Sequence, residues 1–125
     1  MISSKLKKHL AFILVILFAC TIQAQVSLQT KQFKLSFDQS GKLTEMLDKS
    51  ANKNYLPPGE TAFLLSVRRK GKIINPGSMH WKSQSSEIIL SFIDNTAATI
   101  KVDQQPDYIS FELKQLTNAA DAELI

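Results

Sequence analysis

Apolar and polar residues alternate most clearly where the mature chain begins its first predicted hairpin. Phe33, Leu35 and Phe37 are each followed by a polar residue, which gives a strand one apolar face and one polar face. The tripeptide QSG at 39–41 comes next, and its glycine suits a turn that needs a positive φ angle. The pattern predicts a β-hairpin whose apolar face, formed by Phe33, Leu35 and Phe37, begins a core.

The second arm of this hairpin, KLTEMLDK at 42–49, fits two kinds of secondary structure. Leu43, Met46 and Leu47 would also form one face of a short helix, but the segment is short and a tight turn precedes it, which favours a strand. We expect SANKN at 50–54 to be a loop. The next segment, YLPPGE at 55–60, should form a rigid corner, because its prolines cannot donate backbone hydrogen bonds to a sheet.

Strand signals continue to the end of the chain. The predicted strands are TAFLLSVRR (61–69), KII (72–74), SMHWKSQ (78–84), SEIILSFID (86–94), ATIKVD (98–103) and YISFELKQL (108–116). Turn residues separate them every eight to twelve positions, and NPG at 75–77 is the clearest turn signal. This spacing predicts an all-β fold, an antiparallel sandwich or barrel, with no helix long enough for a βαβ unit. In the segment 78–84 we expect Met79 and Trp81, rather than His80 and Lys82, to face inward.

The first 24 residues have the pattern of a secretory signal peptide. Three lysines precede an apolar run from Leu10 to Cys20, and about eleven residues are too few to cross a bilayer as a helix. Cleavage after Ala24 would leave residues 25–125 as one domain of a secreted or periplasmic protein without a transmembrane segment. LFAC at 17–20 also resembles a lipobox, and lipidation of Cys20 would instead give an outer-membrane lipoprotein. Ordinary secretion is favoured, because a cysteine in an apolar run usually just belongs to the signal.

Removal of this leader changes the charge and the cysteine count. Three of the 15 Lys and Arg residues lie in the leader, which leaves 12 against 11 acids and a net charge near +1. The one basic cluster, RRKGK at 68–72, lies at a predicted turn, so no nucleic-acid partner is expected. Cys20 is the chain's only cysteine. The secreted domain therefore has no disulfides and depends on its core.

No set of residues in the sequence indicates catalysis. His80 is the one histidine outside the leader, and without cysteines or a second histidine nearby it does not predict a metal site. The chain has no Gly-x-Ser-x-Gly elbow and no glycine-rich phosphate loop, and no particular pair of carboxylates stands out for glycoside hydrolysis. We predict no catalytic residue, no metal and no cofactor.

Aromatic residues are the candidates for binding. Sugar sites present flat rings to the apolar faces of pyranoses, and Trp81, flanked by His80, is the first choice, followed by Tyr55 and Tyr108. The alternative is that these aromatic side chains pack in the core, which is their commoner role in a small sandwich.

The hairpin also resembles a known family. FKLSFDQSGKLTEMLDKSANKNYL at 33–56 is similar to the start of galactose-mutarotase-like supersandwich domains at the front of secreted Bacteroidetes glycoside hydrolases. The resemblance lies in a D-x-x-G turn at 38–41, an x-L-x-x-L strand, a D-K tract ending in N-Y-L, and a leader that ends in QAQ. It implies a supersandwich-like domain that packs against a following catalytic domain and performs no chemistry itself.

The leading hypothesis is therefore a non-catalytic, N-terminal β-sandwich domain of a secreted carbohydrate-active enzyme that shapes a polysaccharide-binding cleft. Because AELI at 122–125 reads as the start of another strand, we expect the sandwich to be incomplete at its carboxyl end. The alternative is a stand-alone periplasmic or surface binding module, or lipoprotein, for a glycan or a protein partner. A third hypothesis, an enzyme complete in this chain, would require a clustered base that one sequence cannot reveal.

Overall fold

The computed structural model describes residues 25–125, so the predicted leader and Cys20 lie outside the described residues. Within the described part there are eleven strands and no helix. The strands in chain order are β1 (Val26–Gln29), β2 (Phe33–Phe37), β3 (Leu43–Asp48), β4 (Lys53–Asn54), β5 (Val67–Arg69), β6 (Lys72–Ile74), β7 (Pro76–Lys82), β8 (Glu87–Phe92), β9 (Ala97–Gln104), β10 (Ile109–Thr117) and β11 (Ala122–Leu124). For residues 25–125, this means that no helix is long and apolar enough to span a membrane.

The strands form three antiparallel sheets. The first sheet has the order β1-β2-β3-β4, the second β10-β9-β8-β7, and the third β11-β5-β6. Each sheet is open at both edges, and buried side chains from all three meet in one cluster. The prediction of an all-β, antiparallel sandwich is therefore confirmed.

The opening hairpin is present as predicted, and segment 42–49 is a strand. Asp38 organises its turn: one carboxylate oxygen accepts hydrogen bonds from the backbone N–H of Ser40 at 2.9 Å and of Lys42 at 3.1 Å. Gly41 has a φ angle of 79°. Two details differ from the prediction. Lys53 and Asn54, expected in a loop, pair with the end of β3, and β1 adds an unpredicted strand beside β2.

Two predictions about the middle of the chain are wrong. NPG is not a turn, because Pro76 is the first residue of β7, a position where the missing N–H of proline is tolerated, and Gly77 lies at a bulge. Of the strand predicted over 61–69, only Val67–Arg69 forms.

Residues 61–66 instead pass from one sheet to another. The carbonyl of Ala62 accepts a hydrogen bond from Leu43 at the start of β3, while Ser66 exchanges two backbone hydrogen bonds with Ile125, beyond the end of β11. Because its backbone partners lie in two different sheets, this segment cannot form one continuous strand.

The core lies between the sheets. The first sheet contributes Leu28, Phe37 and Leu43, the third contributes Val67, and β8 and β9 of the second sheet contribute alternate residues. In β8 and β9 these buried residues are Ile88, Leu90, Phe92, Ala98, Ile100 and Val102. Period-two alternation in the sequence thus predicts the inner face of the second sheet correctly.

In β2, the alternation of apolar and polar residues predicts burial less accurately. Phe37 is buried and Leu35 is half-buried, but Phe33, predicted to face the core, is 43% exposed. It lies on the expected face of the strand, at an end of the sandwich where a surface groove separates it from Tyr108 and Ile109. Ser36, predicted on the solvent face, is buried; it hydrogen-bonds to Ser27 at 3.0 Å and donates to Glu45 at 3.2 Å.

Arg69 ties the third sheet to the second. Its Nε donates to Asp94 Oδ2 at 3.0 Å in the β8–β9 turn, and its Nη2 donates to Thr96 Oγ1 at 3.1 Å. The same guanidinium also donates to the carbonyls of Asn118 and Ala120, between β10 and β11. Although Arg69 belongs to the basic cluster at 68–72, its side chain is largely covered and joins three segments.

Candidate functional site

Trp81 lies on β7, an edge strand of the second sheet. Its pairing with Ile88 places it on the inner face of the sheet together with Met79, and both side chains pack partly buried against the core. The prediction that these two residues face inward is confirmed. His80, between them on the opposite face, is exposed.

Two grooves meet at Trp81. The hairpin groove, about 650 Å³, follows the turn between β7 and β8 and is lined by His80, Trp81, Lys82, Ser83, Gln84, Ser85 and Glu87. The edge groove, about 800 Å³, lies between β1 and β7 and is lined by Gln25, Val26, Ser27, Gln39, Ser78, Met79, His80 and Trp81. Trp81 therefore combines the two alternatives that the sequence left open, since its side chain packs partly buried against the core and the residue lines both grooves.

The opening hairpin positions the edge groove. The backbone N–H of Met79 donates to the carbonyl of Gln39 at 2.6 Å, which joins the turn between β2 and β3 to β7. Gly41, in the same turn, lies close to Leu90 and Met79. The hairpin that carries the sequence resemblance thus contacts the strand that carries Trp81.

Charges near the hairpin groove alternate across the outer face of the second sheet. Strand pairing aligns Lys82 with Glu87, Glu87 with Lys101, and Lys101 with Glu112. The ammonium group of Lys101 also donates to the backbone carbonyl of Ser85, which holds the β7–β8 turn. This end of the groove thus offers both donors and acceptors and little net charge.

The other predicted aromatic residues lie elsewhere. Tyr108, in the turn between β9 and β10, is 54% exposed, and its hydroxyl lies 3.4 Å from Asp103 Oδ2. Because β7 and β10 are opposite edges of the second sheet, Tyr108 and Trp81 do not form a common surface. Tyr55 follows β4 in the first sheet, is 48% exposed, and has Lys53 Nζ at 4.9 Å from its ring centre. Of the four candidates, the structure brings together only Trp81 and His80.

The described residues contain no arrangement that indicates catalysis or metal binding. Among residues 25–125, no three His, Cys, Asp or Glu side chains gather closely enough to hold a metal ion. The carboxyl groups with altered pKa values lie in turns or, for Asp48, at the last residue of a strand. Hydrogen bonds from Thr96 and the positive charge of Arg69 lower the pKa of Asp94, and a hydrogen bond from Ser50 lowers that of Asp48. These carboxylates stabilise turns and do not face either groove at Trp81.

The geometry at Trp81 suits a neutral, flat, hydroxylated ligand. An aromatic ring at the junction of two grooves provides an apolar surface, while Gln84, Gln39 and Ser78 provide amide, hydroxyl and backbone groups for hydrogen bonds. Sequence reasoning found Trp81 and His80 but missed Gln25, Gln39, Ser78 and Gln84. Gln39 contacts β7 through tertiary packing, which leaves no local signal in the sequence.

Comparison of the chain with protein-family models, with curated proteins and with solved structures finds no match.

Proposed function

We propose that residues 25–125 form a non-catalytic β-sandwich domain of a secreted carbohydrate-active enzyme and bind polysaccharide at Trp81. One observation carries the proposal: the single tryptophan of the chain lines two open grooves, and both grooves also contain polar side chains. Pyranose rings stack on aromatic faces, and their hydroxyls need donors and acceptors around that face. The grooves at Trp81 provide both.

The class of ligand and the secreted location rest on the sequence. The leader has the pattern of a signal peptide, and residues 33–56 resemble the first hairpin of galactose-mutarotase-like domains of glycoside hydrolases. The contact between this hairpin and β7 supports a role in shaping the glycan cleft. A stand-alone periplasmic or surface binding module would use the same Trp81 site. Determining the reading frame beyond Ile125 distinguishes this alternative from a domain of a larger enzyme.

Binding of the purified secreted chain to an array of immobilised polysaccharides tests the proposal. We expect at least one plant or microbial glycan to bind, and Trp81→Phe to weaken that binding by up to about tenfold, because a smaller ring offers less stacking area. Phenylalanine keeps an apolar ring in the partly buried position, so the fold should survive, as circular dichroism can verify.

Tyr55→Ala is the matched control, since it removes an exposed aromatic side chain of the first sheet, and Tyr55 lines neither groove at Trp81. It should leave glycan binding unchanged. Binding that depends on Tyr55 and not on Trp81 would contradict the proposed site, and binding to no glycan at all would contradict the proposed function.

A further inference from the structure

The edge of the second sheet opposite Trp81 is bordered by exposed apolar side chains. We call this surface the apolar flank; it comprises Phe33, Met46, Tyr108, Phe111, Leu113 and Leu124. Two shallow grooves of about 280 and 160 Å³ lie along it, the first at Tyr108 and Ile109 and the second at Phe111 and Leu113. Phe111 is 37% exposed and Leu113 is 41% exposed, although both lie on the same face as the buried residues of β9. Alternate residues of β10 link the two grooves, and exposed apolar surface of this kind usually marks an interface.

The free backbone edge of β10 passes through the middle of the flank. Gln105 N–H donates to Tyr108 O across the β9–β10 turn, and hydrogen-bonded pairs alternate along an antiparallel ladder from that point. The N–H of Val102, opposite Phe111, points the other way and donates to Ser86 O. The N–H and C=O groups of Ile109, Phe111 and Leu113 therefore point away from β9, towards the open edge.

We propose that β10 pairs with β10 of a second copy of this chain, antiparallel and about a twofold axis at Phe111. In this register Phe111 faces Phe111 of the second copy, and Ile109 faces Leu113 of the second copy. The outward N–H and C=O groups of these residues would form about six backbone hydrogen bonds. Apolar residues then meet apolar residues along the inner face, and the two apolar flanks adjoin each other.

Charge favours this register over the neighbouring one that has its axis at Glu112. With the axis at Phe111, Glu112 lies opposite Ser110 of the second copy, so no like charges face each other. With the axis at Glu112, the two Glu112 carboxylates would lie directly opposite each other, which is unfavourable in a sheet. The bulge between Leu113 and Gln115 limits the pairing to the regular part of β10, Ile109 to Leu113.

Pairing at β10 leaves both Trp81 grooves free. The two β7 strands would be the outer edges of one eight-stranded sheet, roughly 34 Å apart at the usual spacing between strands. This consequence rests on the proposed function: if Trp81 binds glycan, the dimer would hold two glycan sites and bind a polymer with avidity.

Sedimentation velocity of the purified secreted chain, over a concentration series without glycan, tests the dimer directly. We expect a monomer–dimer equilibrium that shifts to monomer on dilution. Phe111→Lys places two ammonium groups at the twofold axis and should weaken dimerisation more than about tenfold.

Ser110 variants test the register with little risk to the fold, because Ser110 is exposed on the outer face. Ser110→Glu sets a carboxylate opposite Glu112 of the second copy, twice by symmetry, and should weaken the dimer about tenfold; Ser110→Lys should strengthen it. A chain that is monomeric at all concentrations would overturn the proposal, as would Glu and Lys variants with equal effects or a dimer that persists in Phe111→Lys. Since glycan is absent from this experiment, its failure would leave the Trp81 site untouched.

Discussion

Gly41 connects the opening hairpin to the core at the scale of a single residue. Its φ angle of 79° lies in the left-handed region, and a Cβ atom built on it would lie 2.9 Å from Leu90 Cδ2, a side chain that is fully buried. Glycine is therefore required for two separate reasons, the backbone conformation and the close approach of Leu90. The sequence predicted only the first.

Substitution of Gly41 separates these two reasons. We expect Gly41→Ala to lower the free energy of unfolding by about 3 kcal/mol, since it adds overpacking to backbone strain. Gly59 is the matched control: its φ angle is 81°, but a Cβ atom there would meet nothing within 4 Å. Gly59→Ala should cost only about 1 kcal/mol. Urea denaturation measures both values, and equal losses would contradict the contact with Leu90.

At the scale of elements, Arg69 holds the third sheet against the second. This is a stronger interaction than a surface ion pair, because one guanidinium binds Asp94, Thr96 and two backbone carbonyls from different segments. The adjacent Arg68 is exposed and forms only a 3.5 Å ion pair with Glu123. Two neighbouring arginines thus have very different roles.

The two arginines give a matched pair of variants. Arg69→Met keeps most of the side-chain volume but leaves the carbonyls of Asn118 and Ala120 without their donor, so we expect a loss of about 2 kcal/mol in the free energy of unfolding. Arg68→Met should cost less than about 0.5 kcal/mol. Both can be measured by chemical denaturation, and an Arg69 variant as stable as the Arg68 variant would contradict this role.

Much of the element order could be predicted from alternation alone, because β2, β3, β8 and β9 each present one face to the core. The errors arose where tertiary contacts decide. Pro76 carries a strong turn signal, yet it begins a strand because only one edge of β7 is paired. Residues 61–66 are apolar enough for a strand, but their backbone bonds are divided between two sheets.

The candidate site, too, could be predicted only in part from the sequence. Trp81 and His80 could be chosen from residue type and alternation, and the structure places them at one pair of grooves. The other lining residues come from β1 and from the β2–β3 turn, which are distant in sequence. The aligned charges of Lys82, Glu87, Lys101 and Glu112 likewise depend on strand register, which one sequence does not define.

At the scale of the whole molecule, three aspartates link the fold to pH. Burial works to raise the pKa of Asp38, but hydrogen bonds from Ser40 and Lys42 outweigh it and lower the pKa. The pKa values of Asp48 and Asp94 are also lowered, chiefly by hydrogen bonds from Ser50 and Thr96. At pH values above the ordinary aspartate pKa of about 3.9, each of these ionised carboxylates stabilises the folded state. This stabilisation is lost as the pH falls through the lower pKa that the group has in the folded state.

Between pH 7 and about pH 5 these aspartates stay ionised, so the urea concentration at the unfolding midpoint should change little. At pH values below about 4 this urea concentration should decrease. Asp94→Asn should lower the midpoint at pH 7 and reduce its dependence on pH, so that variant and original chain converge in acid. Stability that increases on acidification below about pH 4 would contradict the direction of these pKa shifts.

The central claim, that glycan binds at Trp81, has a built-in reporter because the chain contains one tryptophan. Titration of residues 25–125 with a soluble oligosaccharide, taken from the glycan that binds best on the array, can be followed by tryptophan emission. We predict a saturable blue shift and intensity change as a sugar ring covers the indole and excludes water. Saturable binding by calorimetry with no change in Trp81 emission would contradict the account, because it would place the glycan elsewhere on the molecule.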